Sequence, residues 1–314
     1  MTGRFISTHS IVLNLPLNID RLPDRGASVR AQSAISSPGG GFVALSVVAA
    51  QGIPSCLAAP LGTGPNSFAV RQQMSDAGIT SLLGELVGDI GVAVQLVESN
   101  GSITSVVAAG VESEPSREAL EHLELHAGDI VQISGMDLAE PLGAEVLSHW
   151  GASLDPEVTL VLSVSPAVDE VELPVWRRLL QRADIVTMNI REAAALGRAL
   201  ASEQPGVSIR HVMRPDAAMV RRLGPLGCEV QESLDRSRVQ IPAFDTVAAD
   251  TTGVGDTHVG AMCGALMRGL GLVDACREAN AASAVTVSHG SAFPVPTIEQ
   301  IEQVLRDGRV TYSY

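Results

Sequence analysis

Ala248-Ala249-Asp250-Thr251-Thr252-Gly253-Val254-Gly255-Asp256-Thr257-His258-Val259-Gly260-Ala261-Met262-Cys263-Gly264 joins a glycine-bracketed turn, a carboxylate and a run of small residues. A strand-like run, Arg238 to Ile241, leads toward it, and the segment after it has helical spacing. Gly253 and Gly255 let the backbone bend tightly around Val254 and leave N–H groups pointing one way. At a helix N-terminus such groups and the helix dipole make an anion site. Asp256 then stands at its mouth, in the first helical turn. Phosphoryl transfer to a hydroxyl needs this pairing: N–H groups offset charge on the moving phosphoryl, and a carboxylate orients the acceptor and takes its proton. The dipole favours the charged carboxylate, so Asp256 is expected to be a weak base, which a loose transition state tolerates. An isolated G-x-G-D is more often a turn with a capping Asp, so the longer string has to decide.

Composition narrows the chemistry. The 314-residue chain is long enough for one large α/β domain, 1–314, and does not require two. Its formal net charge of −14 argues against nucleic acid or an anionic membrane as partner. No long uncharged apolar run and no signal-peptide pattern is seen, and Cys56, Cys228, Cys263 and Cys276 lack metal or disulfide spacing; a cytoplasmic location is expected. All 21 basic residues are arginine. A Walker-type P-loop, a Schiff base and a protein-kinase ion pair all need a lysine, so phosphate chemistry here falls to backbone N–H groups, arginine and metal.

Outward from the signature, short apolar runs alternate with helical segments, the rhythm of parallel βαβ units. Ser10 to Leu15 reads as a buried first strand, and Ala27 to Ser37 as a half-exposed strand pair. Gly39, Gly40 and Gly41 open an apolar helix from Phe42 to Gln51, which suits either a close ligand approach or a flexible loop. Gly91 to Val107 reads as a hairpin around Asn100-Gly101. Ile130 to Ser134 and Val158 to Val164 read as strands, and Asn189 with Glu192 satisfies a helix capping box. Ser208 to Met213 reads as another strand, Ala218–Arg221, Cys228–Gln231 and Arg238–Ile241 as β runs, and Asp274 to Ser288 and Ile298 to Leu305 as helices. His9, His122, His126, His149 and His211 form no ligand spacing and read as surface or core residues.

Asp-Thr-Thr-Gly-Val-Gly-Asp-Thr followed by a Gly/Ala-rich helix resembles the second signature of the ribokinase-like (PfkB-type) carbohydrate kinases, D-T-x-G-A-G-D-x-F-x-G-A. Val254 stands for the usual Ala and His258 for the usual Phe. The resemblance runs from about Ile11 to Leu305. It implies a three-layer α/β fold, with a mostly parallel central sheet, helices on both faces and a small β lid over the substrate (about 16–37 and 91–108). It implies ATP-dependent phosphorylation of a hydroxyl on a sugar or sugar-like molecule, with Asp256 as base and the N–H groups around Gly253, Val254 and Gly255 as anion hole. Asn14 falls on a sugar-binding position and Gly39–Gly41 on the glycines that cradle the acceptor. Asn189 and Glu192 match an N-x-x-E motif that places Mg²⁺, directly or through water, which the capping box does not exclude. Asn280 falls on a nucleotide-lining position, with helix packing as the alternative. Asp250, Thr252, Thr286, His289 and Ser291 fall where relatives hold a monovalent cation such as K⁺. The family's T-x-G-x-x-G turn around the ATP phosphates is expected after Met213, where Arg214-Pro215-Asp216-Ala217-Ala218 lacks the Thr and both glycines; either Arg214 contacts phosphate in compensation or the turn is remodelled. Phe42 and Val43 after the glycines suggest an acceptor with an apolar portion, such as a nucleoside or substituted sugar. A homodimer through the lid is also expected. The alternatives are a nucleoside kinase of the same fold and a binding relative that has lost efficient ATP use.

Overall fold

The computed structural model describes residues 3–99, 103–249, 251–289 and 294–310. The first half of the chain holds β1 (Phe5–Ser7), β2 (Leu13–Ile19), β3 (Ser33–Ala34), β4 (Ser37–Pro38), α1 (Gly41–Ala50), β5 (Ser55–Leu57), β6 (Leu61–Gly62), α2 (Pro65–Asp76), β7 (Ile79–Ser81), β8 (Glu85–Leu86), β9 (Val92–Glu98), β10 (Ile103–Ala108), α3 (Arg117–Glu121), β11 (Ile130–Ser134) and α4 (Pro141–Ser153). The second half holds β12 (Thr159–Ser163), α5 (Leu173–Leu180), β13 (Ile185–Asn189), α6 (Ile190–Glu203), α7 (Ile209–Val212), β14 (Ala218–Arg222), β15 (Cys228–Gln231), β16 (Val239–Ile241), α8 (Val254–Met267), α9 (Leu272–His289) and α10 (Ile298–Asp307).

The central sheet runs β16-β15-β14-β13-β12-β11-β1-β5-β7, parallel from β7 to β14 and antiparallel at β15 and β16. Strand alternation divides its side chains between two cores. Phe5, Leu57, Ile130 and Val161 point to one face, toward α1, α8 and α9. Ile6, Cys56, Val131 and Leu160 point to the other, toward α4, α5 and α6. Because both faces are covered, the parallel strands are apolar throughout rather than alternating with polar residues. Helix α1 is buried along nearly its whole length, and the small residues of α8 let it lie close: a Cβ on Gly260 would come within 2.6 Å of the Ala44 carbonyl. That contact explains why the signature continues as Gly, Ala and Cys rather than as large aliphatics.

A second sheet, β10-β9-β2-β3 with β4 against β2, forms the lid. Three expectations change here. The first core strand is Phe5–Ser7, fully buried, while the run placed at Ser10 to Leu15 is split between a loop and half-buried β2, which belongs to the lid. Its Leu-Asn-Leu-Pro-Leu-Asn alternation is that of a sheet with one covered face. Of the strand pair expected from Ala27 to Ser37, only Ser33–Ala34 and Ser37–Pro38 pair with β2, since most of this exposed polar segment has no apolar face to bury. The β9–β10 hairpin is present, with Asn100-Gly101 outside the described residues. Ser208 to Met213 is not a strand: Ser208 and His211 form a capping box on α7, and the next strand is Ala218–Arg222.

Candidate active site

The parallel strands all end at one edge, beneath the lid, and the chain turns there into the loops that carry its reactive groups. Clefts at the carboxyl edge of such a sheet are where ligands bind in open α/β folds. Gly253 begins α8 with φ 73°, a left-handed conformation that a side chain would strain. The helix therefore starts abruptly. Thr257 N–H reaches Gly253 O at 2.9 Å, while the N–H groups of Gly255 and Asp256 have no carbonyl partner among the described residues. Those donors lie at the positive end of the helix dipole, whereas the Val254 N–H, expected to share in the anion hole, is turned to Thr251 O at 3.4 Å.

Asp256 lies on the floor of a cavity of about 390 Å³ enclosed by the lid and the sheet edge. It keeps some solvent contact at the cavity but is otherwise enclosed by protein. Burial pushes its carboxyl above the ordinary range and the negative charge of Asp137 adds to the rise, while His9 and Arg222 oppose it. The weak base expected from the helix dipole is therefore corrected toward a stronger one, since desolvation outweighs the dipole.

Two groups beside Asp256 come from far along the chain. His9, just past β1, places Nδ1 3.0 Å from Asp137 Oδ2, and the Ser10 N–H bonds Asp137 Oδ1 at 3.0 Å. Burial would hold the His9 ring neutral, yet Asp137 and then Asp256 outweigh it and raise it to about 9. Both His9 and Asp137 line the cavity, with Val12, Gly40, Ala93, Val107, Met136 and Leu147 among its other walls. Gly39, Gly40 and Gly41 fit the backbone against this corner: a Cβ on Gly40 would meet Ser10 O at 2.3 Å, and one on Gly41 would meet His9 O at 2.1 Å. Asn14 packs against Gly39 and, unlike Gly40, is not part of the cavity wall. Phe42 turns into the core, 4% exposed, so the apolar wall expected from it is supplied instead by Val12, Met136 and the lid.

On the other side of Asp256, the Asn189–Glu192 capping box is formed at the start of α6. Asn189 Oδ1 accepts from Glu192 N–H at 2.9 Å, and Glu192 Oε2 accepts from Asn189 N–H at 2.7 Å. Glu192 also pairs with Arg222, Oε2 to Nη2 at 3.2 Å. Burial raises the Glu192 carboxyl, with Arg222 and the Asn189 N–H pulling the other way. Arg222 then leans over the signature: a Cβ on Gly255 would lie 2.6 Å from its Nη1. Its Nε is buried without a hydrogen-bond partner.

Arg222 also opens a second match to the turn pattern sought after Met213. Arg222-Leu223-Gly224-Pro225-Leu226-Gly227 follows β14 with Gly224 and Gly227 at φ 61° and 88°, and carries the two glycines that seemed missing, with Arg at the Thr position. The displacement follows from taking Ser208–Met213 as the preceding strand. Arg214 sits at the opposite edge: it bonds Asp184 at 2.6 Å, at the start of β13, about five residues of strand or roughly 16 Å from the site.

Asn280 is buried and donates to Ile241 O and Pro242 O at 3.1 Å each, holding the end of β16 to α9. Of the cation positions, Asp250 and Ser291 lie outside the described residues. Thr286 Oγ1 bonds Thr257 Oγ1 at 3.3 Å, and Ala249 N–H bonds Val287 O at 2.9 Å, so the loop before Thr252 meets the C-terminal end of α9, where His289 is the last helical residue. No group of three or more His, Cys, Asp or Glu able to hold a metal is found among the described residues. Mg²⁺ bound mainly through water and nucleotide phosphates needs only one or two carboxylates, and Asn189 with Glu192 fits that lesser demand. His9, Asp137 and Arg222 were not singled out from sequence; each stands at or just beyond the carboxyl end of a parallel strand, the one signal that marked them.

Residues 12–298 match the model of the pfkB family of carbohydrate kinases. A sugar kinase of Escherichia coli K12 is 31% identical over 283 residues, covering 89% of this chain and 87% of that protein. The structure of Arabidopsis thaliana ribokinase complexed with ribose and ATP superposes with a TM-score of 0.75 at 19% identity, covering 98% of this chain and 99% of that one. A nucleoside kinase of Burkholderia thailandensis in complex with inosine gives 0.74 at 15% identity, covering 98% of each chain.

Proposed function

The chain belongs to the pfkB family of carbohydrate kinases, and from that footing we propose that it transfers the terminal phosphoryl of ATP to a hydroxyl of a sugar or nucleoside held under the lid. The observation that supports this most is the placement of Asp256: a carboxylate on the floor of an acceptor-sized cavity, in the first turn of a helix that begins at a left-handed glycine. A binding protein has no need of a base there, which disfavours the reading as a non-catalytic relative.

The acceptor hydroxyl lies against Asp256, which orients it and takes its proton as the bond to phosphorus forms. A carboxyl raised by burial is better matched to that step than an ordinary one. The N–H groups of Gly255 and Asp256 offset charge on the transferring group, and Arg222 supplies the cation that no lysine can. Mg²⁺, held near Asn189 and Glu192 through water, would neutralise the nucleotide phosphates. The loop before Thr252, with Thr286 and His289 at the negative end of the α9 dipole, is a suitable place for K⁺. No described helix is long and apolar enough to cross a membrane.

Asp256→Asn tests the assignment. The variant should lose about 10²–10⁴ in kcat, the range for a positioned general base, with ADP binding unchanged. Wild-type turnover by the purified variant would remove Asp256 from the chemistry.

A further inference from the structure

We infer that the His9–Asp137 pair is the acceptor-recognition element of this kinase and selects acceptors that carry no negative charge; the inference rests on the kinase reading and concerns the same cavity. The pair is built rather than incidental. The two residues are 128 apart in sequence, and both are buried against the cavity that ends at Asp256. Asp137 is held in place from two further directions, by the Ser10 N–H and the Ser10 hydroxyl, so its carboxylate is fixed on His9 Nδ1. With Nδ1 occupied, Nε2 is the free end of the ring. It has no hydrogen-bond partner among the described residues and is not sealed into the core. Since that nitrogen is not among the buried unpaired groups and His9 lines the cavity, it is open to the cavity, where a ligand hydroxyl can pair with it.

Charge sets the class of ligand. Among the described residues His9 is the one basic side chain lining the cavity, and its charge is already matched by Asp137. The other ionisable groups in the wall are the carboxylates Glu112, Glu140 and Asp256, and no described arginine lines it. A phosphate or carboxylate on the acceptor would meet the carboxylates of Glu140 and Asp256 with no guanidinium in the wall to offset it, while Glu112 is already taken up by the Gly91 and Gly110 N–H groups. A hydroxyl fits instead: it accepts from the Nε2–H of His9 while its neighbour lies against Asp256. The apolar wall of Val12, Ala93, Val107, Met136 and Leu147 covers the remaining face of the molecule. A hydrogen bond to a charged donor is worth roughly tenfold to a hundredfold in affinity, so losing it should be plain in binding.

Isothermal titration of the full chain with D-ribose, D-fructose, inosine, ribose 1-phosphate, fructose 6-phosphate and gluconate tests this, with turnover measured beside it in ATP and Mg²⁺. At least one neutral compound should bind, and the phosphorylated sugars and gluconate should bind at least tenfold more weakly. His9→Gln and Asp137→Asn should each weaken the neutral ligand about tenfold or more while the KM for ATP stays within twofold, and Asp137→Glu should recover part of the loss. ADP binding checks that each variant is folded; if His9→Gln fails that check, the Asp137 pair decides. Tighter binding of a phosphorylated sugar or gluconate, no neutral ligand bound, or unchanged affinity in the folded variants would overturn the inference. Neutral ligands that bind through His9 but are never phosphorylated would sustain it and count against the kinase reading alone.

Discussion

Arg222 concentrates the consequences of a lysine-free chain in one side chain. Its guanidinium joins Glu192 to the turn at Gly255, and it is one of two positive charges holding down the Asp256 carboxyl. Removing it should act twice. Arg222→Gln should lower kcat by about 10²-fold or more, the scale for losing a charge-stabilising donor at a transferring phosphoryl. It should also move the pH profile. Asp256 works as the anion, so activity falls as pH drops through its pKa; without Arg222 that pKa rises, and the acid limb of kcat/KM shifts to higher pH. An acid limb that stays in place, with kcat unchanged, would make Arg222 only the partner of Glu192. Arg222→Thr, which gives the residue expected from the family pattern, should keep more activity than Arg222→Gln if a hydroxyl can replace the guanidinium there.

At the level of elements, α8 shows which part of a signature is chemical and which is packing. Gly253, Gly255 and Asp256 serve the site, whereas Gly260 serves the approach to α1. His258 stands where the family pattern has Phe and is buried with neither ring nitrogen in ordinary hydrogen-bond geometry among the described residues; its polar neighbour is the Cys228 thiol, whose ionised form it favours. An apolar ring of similar shape should suit that slot better. His258→Phe should raise stability by about 1 kcal/mol and the melting midpoint by roughly 2 °C or more, with activity unchanged. A lower midpoint would show that the slot is shaped for imidazole. Legibility followed the same division. The Asn189–Glu192 box and the helices after Gly41 and Gly253 were readable because their signals lie within a few residues. Phe5–Ser7 escaped because three residues carry no periodicity. Ser208–Met213 misled because its apolar run looked like a strand, while a side-chain cap made it a helix. That error set the turn pattern on Arg214 rather than on Arg222 to Gly227, which carries its two glycines. The His9–Asp137 pair was out of reach, since only the parallel order β1-β11 brings positions 9 and 137 together.

Across the whole molecule, the lid is the part with least support of its own. Its strands β2 and β9 are half-buried, and Ile35 and Val106 remain 76% and 62% exposed on it. Ile35, in the loop between β3 and β4, and Val106, on β10, are large apolar side chains left in solvent by the lid, and a covering surface would bury them. A second copy of the lid would supply one, which is the homodimer the family pattern leads us to expect and which we propose here. Sedimentation at micromolar concentration should then give twice the 32.7 kDa chain mass. Ile35→Glu with Val106→Glu should return it to monomer, because two like charges would face each other across a twofold axis. Ala93 and Val107 of the same strands line the cavity, so loosening the lid should raise the acceptor KM while leaving the ATP KM nearly unchanged. A wild-type protein that sediments as a monomer, with the double variant equal to it in both constants, would mean that the lid closes over its substrate without a partner.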